Sequence, residues 1–600
     1  MSSLSWVRAA AAVLALVSAA PRSAQACGGF FCSNVPVDQT GERVLFAVDK
    51  ASVTAHIQIL YTGEAEKFAW VLPLPTEPTD IGVGTDLVFR KLEQATDPQF
   101  QLNWANTPNC YPPYWGFAED AAAGGGPPNA GGPKSGGVEI LLQKEVGPFD
   151  ATVLKGTTAD SGEAVFEWLN KNGYVQPPQS KDLVNTYVAE NHVFVAVKLQ
   201  KDQKVGDIQP LVLKFPFPGS CVPLRLTSIA ATQDMDVWVY MLGQHRAVPM
   251  NFFHVEINEA KLSWLTVGYQ GRPTNYKEIA TDAVDLASGR GFLTEYAGDT
   301  IGMPEAIWTE GIYNLELFAQ KKTPWDFYAE MMNQGMTQLN SVQLQNVIRA
   351  HIPMPKSVKD KGISEQQFYS SLQTYKTELA GQPFDPIAFV KDLETKFFAP
   401  LKEASKLFAS HRMLTRMYTI ISPSEMARDP IFLFNPDLPN VSNLHKAVGK
   451  AICAEGKTQP DKVEITLGDG TKLVYKGPFQ GWNGIDSKPP VAENDAQLGG
   501  AAKTVAVMDT QGDPEIIAAG PNIAAEKAKV QEAEKLLAQI TIATLIVNHN
   551  ASPGVTAPTK SATSGTGSGC QSGRTMGFGG VATLLLVGFG AMALRRRLSR

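Results

Sequence analysis

The chain has 600 residues, of which 44% are hydrophobic and 19% charged, and this length exceeds what one ordinary core accommodates. We therefore expect two to four folded units, and the apolar content excludes a wholly disordered, collagenous or coiled-coil protein. The formal net charge of −6 argues against a protein that binds nucleic acid phosphates by charge, so no nucleic acid partner is expected.

Residues 1–26 have the pattern of a signal peptide. Arg8 precedes an apolar run over residues 9–20, and Ala24-Gln25-Ala26 has the small-x-small arrangement that signal peptidase recognises. Cleavage after Ala26 makes Cys27 the first residue of an exported chain. The alternative is a lipid on Cys27, but the leucine usual at the third position before such a cysteine is absent.

The next part of the chain has the alternating pattern of antiparallel strands. Residues 27–105 form a β-rich N-terminal part, in which segments 43–48 and 53–61 alternate apolar and polar side chains. Residues 106–137 are rich in proline and glycine and are predicted to be an insert. Short strand patterns resume over residues 138–274, which we assign to the same β-rich domain.

The hydrophobic period then changes to that of helices. Residues 275–415 are predicted to be a helical subdomain, with helix starts at Thr323-Pro324, Ser364 and Asp385-Pro386. The sequence therefore predicts an α+β fold, in which a mainly antiparallel β-rich unit precedes a helical subdomain.

Beyond the helical subdomain the patterns are mixed. Residues 416–548 contain a predicted hairpin around Gly468-Asp469-Gly470 and an amphipathic helix over residues 522–540. Residues 549–574 are rich in serine, threonine, proline and glycine and are predicted to be a flexible stalk.

Residues 575–600 have the pattern of a single transmembrane helix. The apolar run Met576–Leu594 has nineteen residues, about 28 Å at 1.5 Å per residue, and Arg595, Arg596 and Arg597 follow it. A Gly569-Cys570 pair stands ahead of this run. The tail resembles the myxobacterial C-terminal sorting segments called MYXO-CTERM, and this resemblance implies a C-terminal sorting peptidase, cleavage near Cys570 and display at the cell surface.

The two ends carry much of the positive charge. Seven arginines lie outside residues 27–573 and no acidic residue does, so the exported body has 46 basic and 59 acidic side chains and a net charge of −13. Such a body repels nucleic acids and anionic lipids and stays soluble outside the cell.

Five cysteines remain when Cys570 is set aside, and in an oxidising compartment they are disulfide candidates: Cys27, Cys32, Cys110, Cys221 and Cys453. Cys27 and Cys32 either pair with each other or one of them pairs with a distant cysteine, and the spacing leaves this open. A metal site requires two close pairs, and only one exists, so no metal and no cofactor is predicted.

Several segments resemble the domain of unknown function 2330 family. They include Cys27–Cys32, Gly41–Phe46, Phe68–Pro75 and Trp168–Tyr174, and the resemblance covers residues 27 to about 440. It implies exported proteins without an assigned activity and therefore supplies no catalytic residues.

Two groups of residues are candidate binding sites. The densest polar group comprises His411, Arg412, Arg416, Glu425, Arg428 and Asp429. Arg412 and Arg416 are predicted to lie one helical turn apart, where they form either a cleft for an acidic group or an ion-paired network. An aromatic group beside Cys110 either stacks on sugars or packs a loop: Trp104, Tyr111, Tyr114 and Trp115.

The sequence contains none of the local motifs of zinc proteases, serine hydrolases, nucleotide-binding loops or calcium loops. We therefore expect an exported, membrane-anchored surface protein that acts as a non-catalytic binding or envelope-structural module, with an envelope protein or a glycan as partner. The alternative is an extracellular hydrolase of polysaccharide or peptide, which uses Cys27 or two carboxylates paired only in three dimensions.

Overall fold

The computed structural model describes residues 38–62, 69–113, 138–174, 176–199, 209–216, 220–267, 271–479 and 490–542. The chain divides into units 1–546 and 547–600, and every described residue belongs to the first unit. The predicted signal peptide, the stalk and the C-terminal segment lie outside the described residues.

The described part confirms the α+β class. Its strands are β1 (Asp38–Val48), β2 (Ser52–Thr62), β3 (Ala69–Leu74), β4 (Asp80–Val83), β5 (Gln99–Trp104), β6 (Val138–Val146), β7 (Phe149–Gly156), β8 (Val193–Leu199), β9 (Leu211–Pro216), β10 (Ser220–Cys221), β11 (Ala231–Gly243), β12 (Arg246–Pro249), β13 (Phe253–Ile257), β14 (Gly291–Asp299), β15 (Met413–Ile421), β16 (Ile431–Asn435), β17 (Leu444–Ile452), β18 (Lys462–Leu467), β19 (Lys472–Lys476), β20 (Ala502–Val507) and β21 (Glu515–Ala519).

The α-helices are Asp86–Thr96, Gly162–Lys171, Ser180–Ala189, Leu224–Thr227, Tyr276–Leu286, Met303–Ile307, Leu315–Ala319, Pro324–Asn333, Val342–His351, Lys356–Lys359, Glu365–Ser370, Lys376–Ala380, Pro386–Asp392, Ala399–Ser410 and Lys527–Leu537. Shorter 3-10 turns connect several of them, and a π-helical segment, Leu393–Phe398, joins two helices into one continuous element.

A ten-stranded sheet forms the centre, in the order β21-β20-β13-β14-β15-β11-β1-β2-β9-β4. Its neighbouring strands are antiparallel except for β13–β14 and β11–β1, so the predicted mainly antiparallel sheet is confirmed. Both faces of β1 are buried, because Val44 and Phe46 enter one apolar core while Leu45 and Ala47 enter another.

Each face of the central sheet is covered by a different layer. A second, antiparallel sheet, β3-β8-β7-β6, shares one core with Val44 and Phe46, so the two sheets pack as a sandwich. Helices between residues 303 and 410 cover the other face. A third sheet, β10-β16-β12, has three short strands.

The predicted helix starts between residues 323 and 386 are confirmed. Thr323 and Asp385 accept hydrogen bonds from backbone N–H groups of the first turns, and Ser364 with Gln367 forms a complete capping box. The predicted helical subdomain, residues 275–415, is not wholly helical, because β14 lies within it and joins the central sheet.

The C-terminal part of the described chain adds a fourth sheet, β19-β18-β17-β5. Its β18–β19 pair is the predicted hairpin, closed by Gly470 at φ +86°. The predicted amphipathic helix is confirmed as a 3-10 turn followed by Lys527–Leu537, which buries Val530, Ala533 and Leu537. In the described segments no helix is long and apolar enough to cross a membrane, and the predicted span Met576–Leu594 lies outside them.

Candidate functional site

Arg416 lies on a strand, and the predicted helical pairing of Arg412 with Arg416 is wrong. The helix Ala399–Ser410 ends before Arg412, and β15 begins at Met413. The cause is β-sheet pairing, because β15 is inserted between β11 and β14 and its side chains are buried on both faces. Arg412 is exposed, whereas Arg416 is 1% exposed.

Arg416 is the centre of a buried ionic cluster. Its Nε donates to Glu295 Oε2 at 2.6 Å, its NH1 donates to the Asp97 carboxylate, and its guanidinium faces the Tyr240 ring. Tyr276 donates its hydroxyl to the other oxygen of Glu295 at 2.6 Å. Burial lowers the pKa of Arg416, but Glu295 and Asp97 more than offset this and hold the guanidinium charged. The cluster links β14, β15 and the end of helix Asp86–Thr96.

Asp429 is the centre of a second buried cluster, which shares no hydrogen-bond partner with the cluster around Arg416. Its carboxylate accepts from the Tyr187 hydroxyl at 2.8 Å, from Arg225 Nε at 3.0 Å and from the Arg225 backbone N–H at 2.8 Å. Arg225 also donates to both oxygens of Glu190. Burial raises the pKa of Asp429, and Arg225 opposes this shift. These bonds join the helices Ser180–Ala189 and Leu224–Thr227 to the loop before β16.

The free thiol of Cys221 lies beside this cluster. Burial, and then the negative charge of Asp429, raise the pKa of Cys221 well above its ordinary value. The nearby His192 has a lowered pKa because it is buried. A thiol is nucleophilic only as the thiolate, so this arrangement favours a packed, protonated cysteine over a catalytic one.

The other members of the polar group have separate partners. His411 is buried, and its Nδ1 lies 2.7 Å from the Leu407 carbonyl oxygen. Arg428 pairs with Glu534 of the C-terminal helix, and Glu425 accepts from the Ser422 backbone N–H at 2.8 Å. The members of the predicted polar group therefore make separate internal contacts, and within the described residues they line no common cleft.

The aromatic group is only partly described, since Tyr114 and Trp115 lie outside the described residues. Tyr111 is 67% exposed, and its backbone N–H donates to the Thr458 carbonyl at 3.0 Å. Trp104 is half-buried against Gly449, where an added Cβ would lie 2.9 Å from the indole ring. A disulfide between Cys110 and Cys453 fastens this loop to the end of β17. Cys110 and Cys453 are thus confirmed as disulfide cysteines, Cys221 is not one, and Cys27 and Cys32 lie outside the described residues.

The sequence reasoning missed a charged surface on the sheet β19-β18-β17-β5. One face of this sheet packs on a core that includes Phe100, Ala447 and Ile465, and the other face is open. Five lysines alternate with the buried positions and so lie on the open face: Lys446, Lys450, Lys462, Lys472 and Lys476. We call this surface the lysine face. The sequence does indicate this surface, because in three strand segments the lysines alternate with apolar residues at every second position.

No metal site was found in the part of the chain that the structure describes: it contains no group of three or more His, Cys, Asp or Glu side chains that could hold an ion. A polar surface depression of about 340 Å³ lies on the helical layer beside Lys321 and Glu330, which pair with each other at 2.8 Å.

Comparison with known families gives one match. Residues 21–307 match the family model DUF2330, described as an uncharacterized protein conserved in bacteria. The chain resembles the DUF2330 family. This confirms the expected resemblance, although the match ends at residue 307 and not near residue 440. No curated protein and no solved structure matches the chain.

Proposed function

We propose that this protein is exported and held at the cell envelope by its C-terminal segment, where it acts as a non-catalytic binding or envelope-structural module. The observation that carries the export proposal is the disulfide Cys110–Cys453, which joins cysteines 343 residues apart. Structural disulfides persist in oxidising compartments and are rare in the cytosol. The signal-peptide pattern of residues 1–26 points to the same compartment.

The use of the buried polar residues supports a non-catalytic role. The hydrogen bonds of three such residues go to other groups of the fold: Arg416, Asp429 and Arg225. Each of the three joins two or more secondary-structure elements. A catalytic pair requires groups that reach a substrate. Side chains that pair within the fold in this way stabilise the packing of the sandwich and the helical layer.

Surface accessibility tests the proposal. Intact producing cells are treated with a membrane-impermeant biotin reagent and then fractionated, and biotin on the protein is located by mass spectrometry. We expect the exposed Lys446, Lys450 and Lys476 to be labelled in the envelope fraction. Cys221 serves as an internal control, because its thiol is half-buried with a raised pKa and an impermeant thiol reagent should modify it faster after denaturation. Protein found unlabelled in the cytosol would overturn the proposal.

A further inference from the structure

The lysine face concentrates positive charge on a body whose net charge is −13. Only one carboxylate, Glu464, stands among the five lysines on the described strands of this face, and it pairs with Lys462 at 2.5 Å. Lys450 and Lys472 also lower the pKa of Glu464, after the larger effect of its hydrogen bond with Lys462. A second carboxylate, Glu493, flanks β19 and pairs with Lys476 at 3.8 Å. Five lysines therefore stand against two carboxylates, and an excess of positive charge remains.

The register of the strands places like charges together. Lys462 lies directly opposite Lys476 in the β18–β19 pair, and each has one carboxylate partner, Glu464 for Lys462 and Glu493 for Lys476. Lys446, Lys450 and Lys472 have no ion-pair partner among the described side chains. Because alternate residues on one face are about 7 Å apart and neighbouring strands about 4.8 Å apart, the lysines form a two-dimensional array rather than one point of charge.

The remaining side chains of the face are polar or aliphatic. Gln101 and Asn103 on β5 lie opposite Lys446 and Val448 of β17, and Thr466 lies beyond Val448 on β18. Their amide and hydroxyl groups match the hydroxyl groups of a sugar polymer. Val448 is 50% exposed and gives the centre of the face a flat apolar spot, on which the C–H face of a sugar ring can rest.

Resting on the function proposed above, we propose that the lysine face binds an anionic polysaccharide of the cell envelope. The charge pattern favours this partner over a lipid surface, because a polymer strand contacts the face alone whereas a membrane also meets the acidic remainder of the body. The composition of the face also favours a polysaccharide over single-stranded nucleic acid, because the described side chains of the face include no aromatic ring on which bases stack. Carboxylate or phosphate groups of the polymer pair with the lysines, and its hydroxyl groups meet Gln101 and Asn103.

A binding assay with the protein isolated from its producing cells tests this inference. The probe is polygalacturonate, with neutral dextran, oligothymidylate and vesicles of equimolar phosphatidylglycerol and phosphatidylcholine in parallel. We expect binding to polygalacturonate that weakens as salt is added, and weaker binding to the other three. Stronger binding to the vesicles or to the oligonucleotide, or no binding to polygalacturonate, would overturn the inference.

Two matched triple variants locate the site. Lys446→Glu/Lys450→Glu/Lys472→Glu should raise the Kd for polygalacturonate at least about tenfold, because it replaces attraction by repulsion at the face. The control Lys322→Glu/Lys356→Glu/Lys359→Glu changes the net charge equally at exposed positions of the helical layer and should leave the Kd within about twofold. Equal losses in the two variants would show a general charge effect and overturn the site.

Two further variants should change the affinity for polygalacturonate, one by a smaller loss and the other by a gain. Lys446→Gln/Lys450→Gln/Lys472→Gln removes the charge without reversing it, and should weaken binding less than the glutamate variant does. Glu464→Gln removes the carboxylate that pairs with Lys462 and should tighten binding; unchanged or weaker binding contradicts the inference. The readout separates this inference from the proposed function, because surface protein that fails to bind disproves only the inference, while cytosolic protein that binds disproves only the location.

Discussion

Glu42 shows how burial alone changes a single residue. It is 1% exposed on β1, and its side chain accepts a hydrogen bond from Gln39 at 3.3 Å. Burial raises the pKa of Glu42 to about 7, with a smaller contribution from the charge of Asp429. Two buried carboxylates with raised pKa values are a pattern of acid–base catalysis, but here both are enclosed and Asp429 is held by Tyr187 and Arg225.

We predict that Glu42→Gln changes the pH dependence of stability. The pKa of Glu42 is about 7 in the folded protein and near 4.5 in the unfolded chain, so the folded protein retains a proton that the unfolded chain has released. The resulting stabilisation is complete below about pH 4.5 and is lost as the pH rises through 7. Relative to the wild type, the variant should therefore gain up to about 3 kcal/mol by roughly pH 8 and little at about pH 4.

Urea unfolding at the two pH values measures this difference. The exposed Glu77→Gln serves as the matched control and should leave the pH dependence of the free energy of unfolding unchanged. A gain for Glu42→Gln that is the same at both pH values would contradict the prediction.

Arg416 shows the opposite case, in which a buried charge is retained by partners. We predict that Arg416→Met lowers the free energy of unfolding by about 3–5 kcal/mol, because Glu295 is left buried without its cation. Adding Glu295→Gln to this variant should restore part of the loss, since the amide still accepts from Tyr276. Chemical denaturation of the single and double variants measures both effects.

Arg412→Met is the matched control for Arg416→Met. Arg412 is exposed, and its replacement should change the free energy of unfolding by no more than about 0.5 kcal/mol. Similar losses in the two single variants would show that the buried cluster does not stabilise the fold.

At the scale of elements, one sheet depends on contacts between distant segments. The sheet β19-β18-β17-β5 takes β5 from the N-terminal part and its other strands from the C-terminal part, and β5 pairs with β17 in parallel. The disulfide Cys110–Cys453 fastens the chain just beyond the ends of these two strands. Trp104 packs against Gly449 in the same place, which requires a residue without a side chain.

We predict that Cys110→Ser/Cys453→Ser destabilises the protein by about 2–5 kcal/mol, because the cross-link closes a long loop in the unfolded chain. Thermal unfolding measures the loss, and peptide mapping without reduction should yield one peptide pair that links Cys110 to Cys453. A cross-link from Cys110 to another cysteine, or an unchanged Tm in the double variant, would contradict the prediction.

At the scale of the whole molecule, residues 27–573 and the two ends of the chain differ in charge. Residues 27–573 have a net charge of −13, and the seven arginines outside them lie in the predicted signal peptide, at the end of the predicted stalk and in the predicted C-terminal segment. An arginine cluster that follows an apolar run stays on the cytoplasmic side of the membrane. The resemblance to MYXO-CTERM tails implies that the whole C-terminal segment, with its arginines, is then cut off during sorting.

We predict that surface-displayed protein begins at Cys27 and ends near Cys570. Intact-mass and terminal-peptide mass spectrometry of the protein from the envelope fraction measures both ends. Cys570→Ser should prevent processing, whereas Ser568→Ala, two residues earlier in the stalk, is the matched control and should not. Detection of Arg600 in surface-displayed wild-type protein would show that the segment is retained.

The sequence alone determined the features that depend on neighbouring residues. The caps at Thr323, Ser364 and Asp385, the hairpin at Gly470 and the amphipathic helix Lys527–Leu537 follow from local hydrogen bonds and from periodic burial. The α+β class followed in the same way, because strand and helix periods occupy different stretches of the chain.

Only the tertiary structure decided which distant residues meet. The four-residue spacing of Arg412 and Arg416 predicts that they share a helix face, but the pairing of β15 with β11 and β14 overrides that local pattern. The partners of Asp429 and of Cys110, and the assembly of the lysine face from separated strands, involve residues far apart in sequence. Local propensity carries no information about such pairs, since the free energy that brings them together comes from burying whole faces of sheets and helices at once.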